Sequence, residues 1–152
     1  MFRLPMNEKD PFYMRLALAE ARIALEEDEI PVGAVVVCGG KVIAKAHNQT
    51  HRLSDPTAHA EMLAITAACH HLRSRYLNEC SLYVTLEPCS MCAGATHWAL
   101  LGRLVYGASD EKRGFRHYSE SIAHKRTQIA TGILEEECQG LITEFFRGLR
   151  ER

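Results

Sequence analysis

The chain has 152 residues, of which 47% are hydrophobic and 24% are charged, and its formal net charge is -1 at pH 7. This length and composition predict one soluble globular domain over residues 1–152 and argue against two domains. No stretch approaches the roughly 18 consecutive apolar residues of a membrane span. The opening MFRLPMNEKD has too short an apolar run for a signal peptide, so we expect a cytoplasmic protein without a membrane segment.

A helix and a strand hairpin are predicted in the first third of the chain. Asp10 and Pro11 are interpreted as the cap and first position of the helix, because apolar residues then recur every three or four positions. The runs VGAVVVC and KVIAKAHN flank Gly39 and Gly40. Glycine tolerates a positive φ, so these runs predict two strands joined by a tight turn.

The remaining predicted elements alternate between helices and strands. In order they are a helix over residues 59–73, the strand SLYVTL, a helix that follows Cys89, the strand RLVYGAS, the strand TQIATGI and the helix EEECQGLITEFFRGLRER. A helical crossover joins the third strand to the fourth, so we expect these two strands to be parallel. The whole pattern predicts an α/β domain with helices packed against one sheet.

The six cysteines are expected to be thiols or metal ligands rather than disulfides, because the chain shows no export signal. Four of them lie in or beside apolar segments, where a free cysteine behaves as a small hydrophobic side chain. These four are Cys38, Cys69, Cys80 and Cys138.

The remaining pair, in Cys89-Ser90-Met91-Cys92, allows three interpretations when taken alone. A Cys-x-x-Cys that opens a helix is typical of thioredoxin-like redox sites. A structural zinc needs four protein ligands, and the other cysteines are scattered singly, so no second pair is evident. A catalytic zinc needs only three protein ligands and keeps its fourth position open.

The upstream motif PTAHAEM supplies the missing ligand for a catalytic zinc. His59, Cys89 and Cys92 are predicted to bind one zinc ion per chain and to leave the fourth position to water. Glu61 is predicted to take the proton of that water, pass it to the ring nitrogen of a substrate and later protonate the departing amine. His-x-Glu followed by Pro-Cys-x-x-Cys is the signature of the zinc nucleobase deaminases.

The sequence resembles the cytidine and deoxycytidylate deaminase superfamily, and within it the bacterial tRNA-specific adenosine deaminases. The resemblance rests on PVGAVVV, DPTAHAE, LYVTLEPCSMCAGA, RLVYGASD and GILEEEC, which together span nearly the whole chain. It implies a three-layer α/β/α cytidine-deaminase-like fold with a five-stranded mixed sheet, and a homodimeric zinc enzyme. It also implies that the substrate is adenosine at the wobble position of a tRNA anticodon arm, which becomes inosine.

The resemblance further implies which residues meet the substrate. Asn48 would hydrogen-bond the nucleoside, the Ala60 N–H would face the base, and Asp110 would touch the sugar. The full expected set is Ile30, Pro31, Val32, Asn48, Ala60, Glu87, Pro88 and Asp110, with Glu87 and Pro88 acting through a nearby backbone carbonyl. Simpler interpretations remain: Ile30 to Val32 as a core strand entry, and Asn48 and Asp110 as turn residues.

Residues 111–126 depart from the commoner family pattern, which runs through small residues after Asp110. Residues 112–126 contain five basic side chains and one acidic side chain. This composition is equally compatible with contacts to phosphates and with a solvated loop, and the sequence does not predict the conformation of the segment. If the substrate is RNA, the basic residues expected to contact its phosphates are Lys112, Arg113, Arg116, Lys125, Arg126, Arg147, Arg150 and Arg152.

Two rival functions stay open at the level of sequence. One is a deaminase of a free base or nucleotide, of the guanine or cytosine type, which would use the same zinc chemistry. The other is a redox or zinc-binding module without turnover. Glu61 argues against the module, because a structural site has no use for a carboxylate there, and the basic residues favour RNA over a small substrate.

Overall fold

The computed structural model describes residues 7–152, so the first six residues of the predicted domain lie outside the described part. In chain order, the elements are α1 (Asp10–Glu26), β1 (Gly33–Cys38), β2 (Lys41–His47), α2 (Ala60–Leu72), β3 (Cys80–Leu86), α3 (Ser90–Trp98), β4 (Arg103–Ala108), α4 (Phe115–Tyr118), a 3-10 turn (Glu120–Ile122), β5 (Gln128–Thr131) and α5 (Glu135–Arg150). Within residues 7–152, no helix is both long enough and apolar enough to cross a membrane.

The five strands form one mixed sheet in the order β2-β1-β3-β4-β5. β1 is antiparallel to both β2 and β3, whereas β3, β4 and β5 are parallel to one another. The β1–β2 turn contains Gly39 and Gly40 at φ values of 59° and 76°, which explains why glycine occupies both positions. The predicted hairpin, parallel crossover and mixed sheet are all confirmed.

Helices cover both faces of the sheet, and alternate strand residues decide which helix each face meets. Val36 and Leu82 belong to the cluster that contains Ala60, Ala64 and Ala68 of α2 and Ala93 of α3. Val35 and Tyr83, their neighbours in sequence, belong to the cluster formed with α1 and α5. This period of two follows from the pleat of a strand and gives the expected three layers.

The start of α1 is anchored to the sheet by a buried ion pair. Asp10 is fully buried and accepts hydrogen bonds from the Arg103 guanidinium at 2.7 and 2.8 Å and from the Tyr83 hydroxyl at 2.7 Å. The sequence prediction that Asp10 caps the helix is wrong, because Lys9 occupies the cap position. The carboxylate binds an arginine 93 residues away instead of the first turn of its own helix.

The four cysteines outside the Cys-x-x-Cys pair pack as predicted. Cys80 and Cys138 are buried, and this burial raises the pKa of both thiols to about 12. Cys38 and Cys69 are half-buried and pack against the core between the sheet and α2. All four are free thiols, so they act here as small hydrophobic side chains.

Candidate metal centre and substrate cavity

The candidate metal centre lies where two helices begin on the same face of the sheet. His59 is the N-cap of α2, with φ -72° and ψ 151°, and Cys89 is the N-cap of α3, with φ -69° and ψ 173°. Both residues keep an extended backbone just before a helix, as N-cap residues do. Cys92 follows in the first turn of α3, so the two sequence motifs converge at two helix N-termini.

The three predicted ligands have the spacing that zinc requires. The Nδ1 atom of His59 lies 3.6 Å from the Cys89 sulfur and 3.5 Å from the Cys92 sulfur. The three ligand atoms all lie within 4.8 Å of one another. Nitrogen and sulfur ligands at about 2.05 and 2.3 Å from a tetrahedral zinc would stand about 3.6 Å apart. The donor set and its geometry therefore fit zinc.

The two thiols of the site differ sharply in acidity. The hydrogen bond from the Cys92 thiol, the contact with His59 and the backbone N–H of Cys92 lower the pKa of Cys89 to about 4. Its hydrogen bond to Cys89 raises the pKa of Cys92 above the ordinary value. The helix N-terminus thus acts on the Cys89 sulfur, as expected for a thiolate at this position.

Glu61 lies beside the ligand set without belonging to it. It is the second residue of α2 and is only 4% exposed. Burial raises the pKa of its carboxyl to about 7, and a hydrogen bond with Cys92 partly opposes that shift. A carboxyl that titrates near neutrality can both accept and donate a proton during turnover.

A cavity of about 1380 Å³ opens directly onto His59, Glu61 and Cys89. Six of the eight residues expected at the substrate line it, namely Ile30, Val32, Asn48, Ala60, Glu87 and Asp110. Pro31 and Pro88 are buried and do not line the cavity. The structure therefore brings most of the expected substrate residues together around the candidate metal centre.

Comparison with known families accounts for this arrangement. Residues 7–108 match the family model described as the cytidine and deoxycytidylate deaminase zinc-binding region. The chain belongs to this family. The match includes all three candidate ligands and Glu61, so the centre of this deaminase is the family's zinc-binding region.

The similar proteins include deaminases that act on different substrate classes. A curated tRNA-specific adenosine deaminase of Agrobacterium fabrum is 46% identical over 143 residues, which are 91% of this chain and 94% of the relative. A solved structure of a tRNA:A34 deaminase has a TM-score of 0.80 at 45% identity and covers 86% of this chain and 98% of its own. A guanine deaminase of Nitrosomonas europaea also has a TM-score of 0.80, but at 25% identity, covering 95% and 86%.

The wall of the deaminase cavity that carries Asn48 is held by a carboxylate that the sequence motifs did not reveal. Glu29 is 2% exposed, and its two oxygens accept the backbone N–H groups of His51 and Arg52 at 3.0 and 2.7 Å. Asn48 itself is 5% exposed and donates its backbone N–H to the Val32 carbonyl at 3.0 Å. Glu29 thus fixes the loop that follows Asn48.

The opposite wall is built by the loop after β4. Asp110 accepts the backbone N–H groups of Lys112 and Arg113 at 3.1 and 3.0 Å, so its carboxylate shapes a turn. The backbone carbonyl of Pro88 accepts the N–H of Phe115 at 2.9 Å. The Asp110 carboxylate and the Pro88 carbonyl, which are expected at the substrate, therefore also hold the loop in place.

The basic segment does not form one surface. Lys112 and Arg113 line the cavity, whereas Arg116 turns its guanidinium to the Tyr106 hydroxyl at 2.7 Å. Lys125 and Arg126 line a separate hollow with Gly102 and Gln128, where β4 and β5 begin. The six residues of β4 span roughly 20 Å, so this hollow is separated by that length from the end of the sheet beside the candidate metal centre.

α5 completes the cavity with a mainly acidic wall. Glu135, Glu136 and Glu144 line it together with Phe146, which is 43% exposed, and Arg147. The other C-terminal arginines have local partners: Arg150 donates to the Phe146 carbonyl, and Arg152 pairs with Asp28 at 2.6 Å. The basic side chains on the cavity wall are therefore Lys112, Arg113 and Arg147.

Proposed function

We propose that this protein is a zinc-dependent hydrolytic deaminase that converts adenosine to inosine at the wobble position of tRNA. One observation carries the substrate class: two tRNA-acting relatives are 45 to 46% identical over at least 86% of this chain, whereas one guanine deaminase is 25% identical and another, at 39%, matches only 68% of this chain. The rival, a deaminase of free guanine or cytosine, shares the fold but is supported only by lower identity or by a match to a smaller part of the chain.

The reaction follows from the positions of the side chains. When bound by His59, Cys89 and Cys92, one zinc per chain would lower the pKa of a coordinated water and so supply hydroxide at neutral pH. Glu61 takes up the proton that this water loses and delivers it to the ring nitrogen of adenine. The hydroxyl group that has added to the ring carbon then gives up its proton, and Glu61 carries this second proton to the amine. The carbon–nitrogen bond breaks and ammonia leaves, so one buried carboxyl serves both halves of the reaction.

The shape of the cavity supports a nucleic-acid substrate. Its volume of about 1380 Å³ exceeds the roughly 300–1,000 Å³ of pockets that enclose a small molecule. A base in an RNA loop must leave its stack to reach the centre, and unpaired bases do so at least cost. Asn48 and the Ala60 N–H would hold the extruded nucleoside, while Lys112 and Arg113 meet the adjacent phosphates.

The assembly and location are part of the same proposal. We expect a homodimer, because a small domain alone has limited surface with which to hold an RNA arm, and Trp98 and Tyr118 leave 80% and 64% of their surface exposed. We expect one catalytic domain per chain and action in the cytoplasm, where tRNA is available. Sedimentation velocity at micromolar concentration tests the dimer, and a monomer there would contradict it.

The deciding experiment compares substrates directly. The purified protein is incubated with total tRNA and, separately, with free bases, nucleosides and nucleotides, and the products are analysed for inosine and ammonia. Inosine at the wobble position of a tRNA, with little ammonia from the small substrates, supports the proposal. Rapid release of ammonia from guanine or cytosine, with no inosine in any tRNA, would transfer the assignment to the rival.

A further inference from the structure

Glu87 connects the zinc motif to the loop that forms one wall of the cavity. It lies two residues before Cys89 and is 6% exposed. Its Oε1 atom accepts the backbone N–H of Asp110 at 3.2 Å, and its Oε2 atom accepts that of Arg116 at 3.1 Å. One carboxylate therefore holds both ends of the loop 111–115.

The loop lies so close to this carboxylate that only glycine fits at position 114. A Cβ atom added to Gly114 would overlap the Glu87 carboxylate and the Asp110 carbonyl oxygen. Gly114 also forms an isolated backbone bridge with Cys89. The loop is thus packed on the strand end that leads to the metal ligands, and Glu87 is the side chain between them.

The side chains presented by this loop bear the charge that RNA requires. Glu111, Lys112 and Arg113 of the loop line the cavity, two basic side chains against one acidic, whereas α5 contributes Glu135, Glu136, Glu144 and Arg147, three acidic side chains against one basic. A phosphate is repelled by that acidic wall and attracted to the loop. The position of the loop therefore decides where the substrate backbone lies relative to Glu61.

We propose that Glu87 is a positioning residue that fixes the loop 111–115, so that Lys112 and Arg113 hold the phosphates beside the target nucleotide. The proposal rests on the proposed RNA function, and it assigns Glu87 a role in the loop rather than contact with the base. Because Glu87 acts through the loop, its loss weakens RNA binding and leaves the chemical step at Glu61 intact.

The first test is Glu87→Gln, which keeps the size of the side chain but turns one acceptor into a donor that faces a backbone N–H. One loop hydrogen bond is then lost and a buried donor is left unpaired. We expect KM for tRNA to rise roughly tenfold, while kcat and zinc content stay near those of the unaltered protein. The salt dependence of RNA binding should also become shallower, because fewer phosphates are held.

A double-mutant cycle separates positioning from a general loss of stability. Combined Lys112→Ala and Arg113→Ala should weaken RNA binding in the unaltered protein but have little further effect after Glu87→Gln. Glu29→Gln is the matched control, because it disturbs a similar buried carboxylate on the other wall. In that background, the lysine and arginine substitutions should keep their full effect.

Gly114→Ala disturbs the same contact between Glu87 and the loop, but changes the loop instead of Glu87. It should reproduce the binding defect of Glu87→Gln, and the two together should be no worse than either alone. If Glu87→Gln does not fold, as judged by circular dichroism, Gly114→Ala carries the same cycle with Lys112 and Arg113.

Two results would overturn the positioning role. One is that the Glu87 and Lys112/Arg113 effects simply add, and the other is that the salt dependence is unchanged in both loop-directed variants. The failure of the unaltered protein to form inosine would count against the proposed function alone, since the RNA-binding cycle is measured without turnover. The absence of any RNA binding would overturn both.

Discussion

The guanidinium of Arg116 donates a hydrogen bond to the hydroxyl of Tyr106 at 2.7 Å. Tyr106 is buried in β4, so this contact directs the middle arginine of the basic segment into the protein. Arg116 also approaches Glu120, four residues further along the chain, at 3.6 Å. The guanidinium of Arg116 therefore contacts other side chains of the protein, whereas Lys112 and Arg113 line the cavity.

This contrast predicts that neighbouring basic residues have different effects on RNA binding. Replacing Lys112 and Arg113 with alanine should lower the slope of log affinity against log salt by about 1 to 2, roughly one for each lost phosphate contact. Arg116→Ala should lower the melting temperature and leave the slope nearly unchanged. Fluorescence anisotropy with a labelled anticodon stem-loop, measured over a salt series, provides the comparison.

The control for this comparison uses basic residues far from the cavity. Lys125 and Arg126 lie at the opposite end of the sheet, so changing both to alanine should leave binding at the cavity of the same chain intact. A slope that falls equally for Arg116→Ala and for the Lys112/Arg113 variant would show that Arg116 contacts RNA after all.

A second prediction concerns the proton carrier. Glu61→Gln preserves the size and burial of the side chain, but an amide cannot accept the proton of the water. We expect zinc content to be retained and kcat to fall by about 10²- to 10⁴-fold or more, the range of a single general acid–base group. Single-turnover inosine formation and elemental analysis of the same samples provide the two readouts. Activity near that of the unaltered protein would remove Glu61 from the mechanism.

A third prediction concerns the metal. Protein purified without chelators should contain one zinc per chain, and its removal should abolish deamination and lower the melting temperature, because the ion binds only the folded site. Cys92→Ala should lose zinc. Cys138→Ala is the matched control, since Cys138 is also buried but lies on the other side of the sheet among α1 and α5.

The outcomes for these cysteine variants should differ in kind. Cys138→Ala removes one buried sulfur and should cost stability while zinc and activity remain. Equal zinc in the Cys92→Ala variant and the unaltered protein would contradict the assignment of the ligand set. Zinc added back to the chelated protein should restore activity, which distinguishes metal loss from irreversible unfolding.

The parts of the site that were predicted from sequence depend on local patterns. His59 and Cys89 each open a helix, and the spacing from His59 to Glu61 and from Cys89 to Cys92 is fixed by the chain, so short motifs were sufficient. The hairpin at Gly39 and the parallel strands likewise follow from turn residues and element order.

The contacts that the sequence does not predict are those between distant residues. Glu29 and Glu87 bind backbone N–H groups 22 to 29 residues away, and a backbone donor leaves no trace in the sequence. The position of Asp10 suits a helix cap, whereas its actual partner, Arg103, comes near it only when the sheet is assembled. The contact between Arg116 and Tyr106 likewise exists only in the folded chain, so the sequence alone does not distinguish Arg116 from the other basic residues of its segment.

The last prediction uses Asp10 and Arg103 to test the anchor of α1. Burial raises the pKa of Asp10, but hydrogen bonds from Arg103, Tyr83 and Asn7 outweigh it and hold the pKa below the ordinary 3.8. Removing one partner of a buried ion pair leaves the other charge uncompensated, so Asp10→Asn should lower the free energy of unfolding by about 3–5 kcal/mol. Asp28→Asn, which breaks the exposed pair with Arg152, should cost no more than about 1 kcal/mol.

The pH dependence of this effect has a definite sign. Because the pKa of Asp10 is lower in the folded state than in the unfolded state, the unfolded chain binds more protons as the pH falls. The stabilising contribution is therefore complete above the unfolded value near 3.8 and is lost as the pH falls through the folded value. Urea unfolding of the unaltered protein and of Asp10→Asn, compared from pH 7 down to pH 3, should show a gap that is constant at first and narrows only at the acidic end. Zinc release in acid affects both proteins and cancels in the difference, so a gap that widens with acidity would contradict the ion-pair assignment.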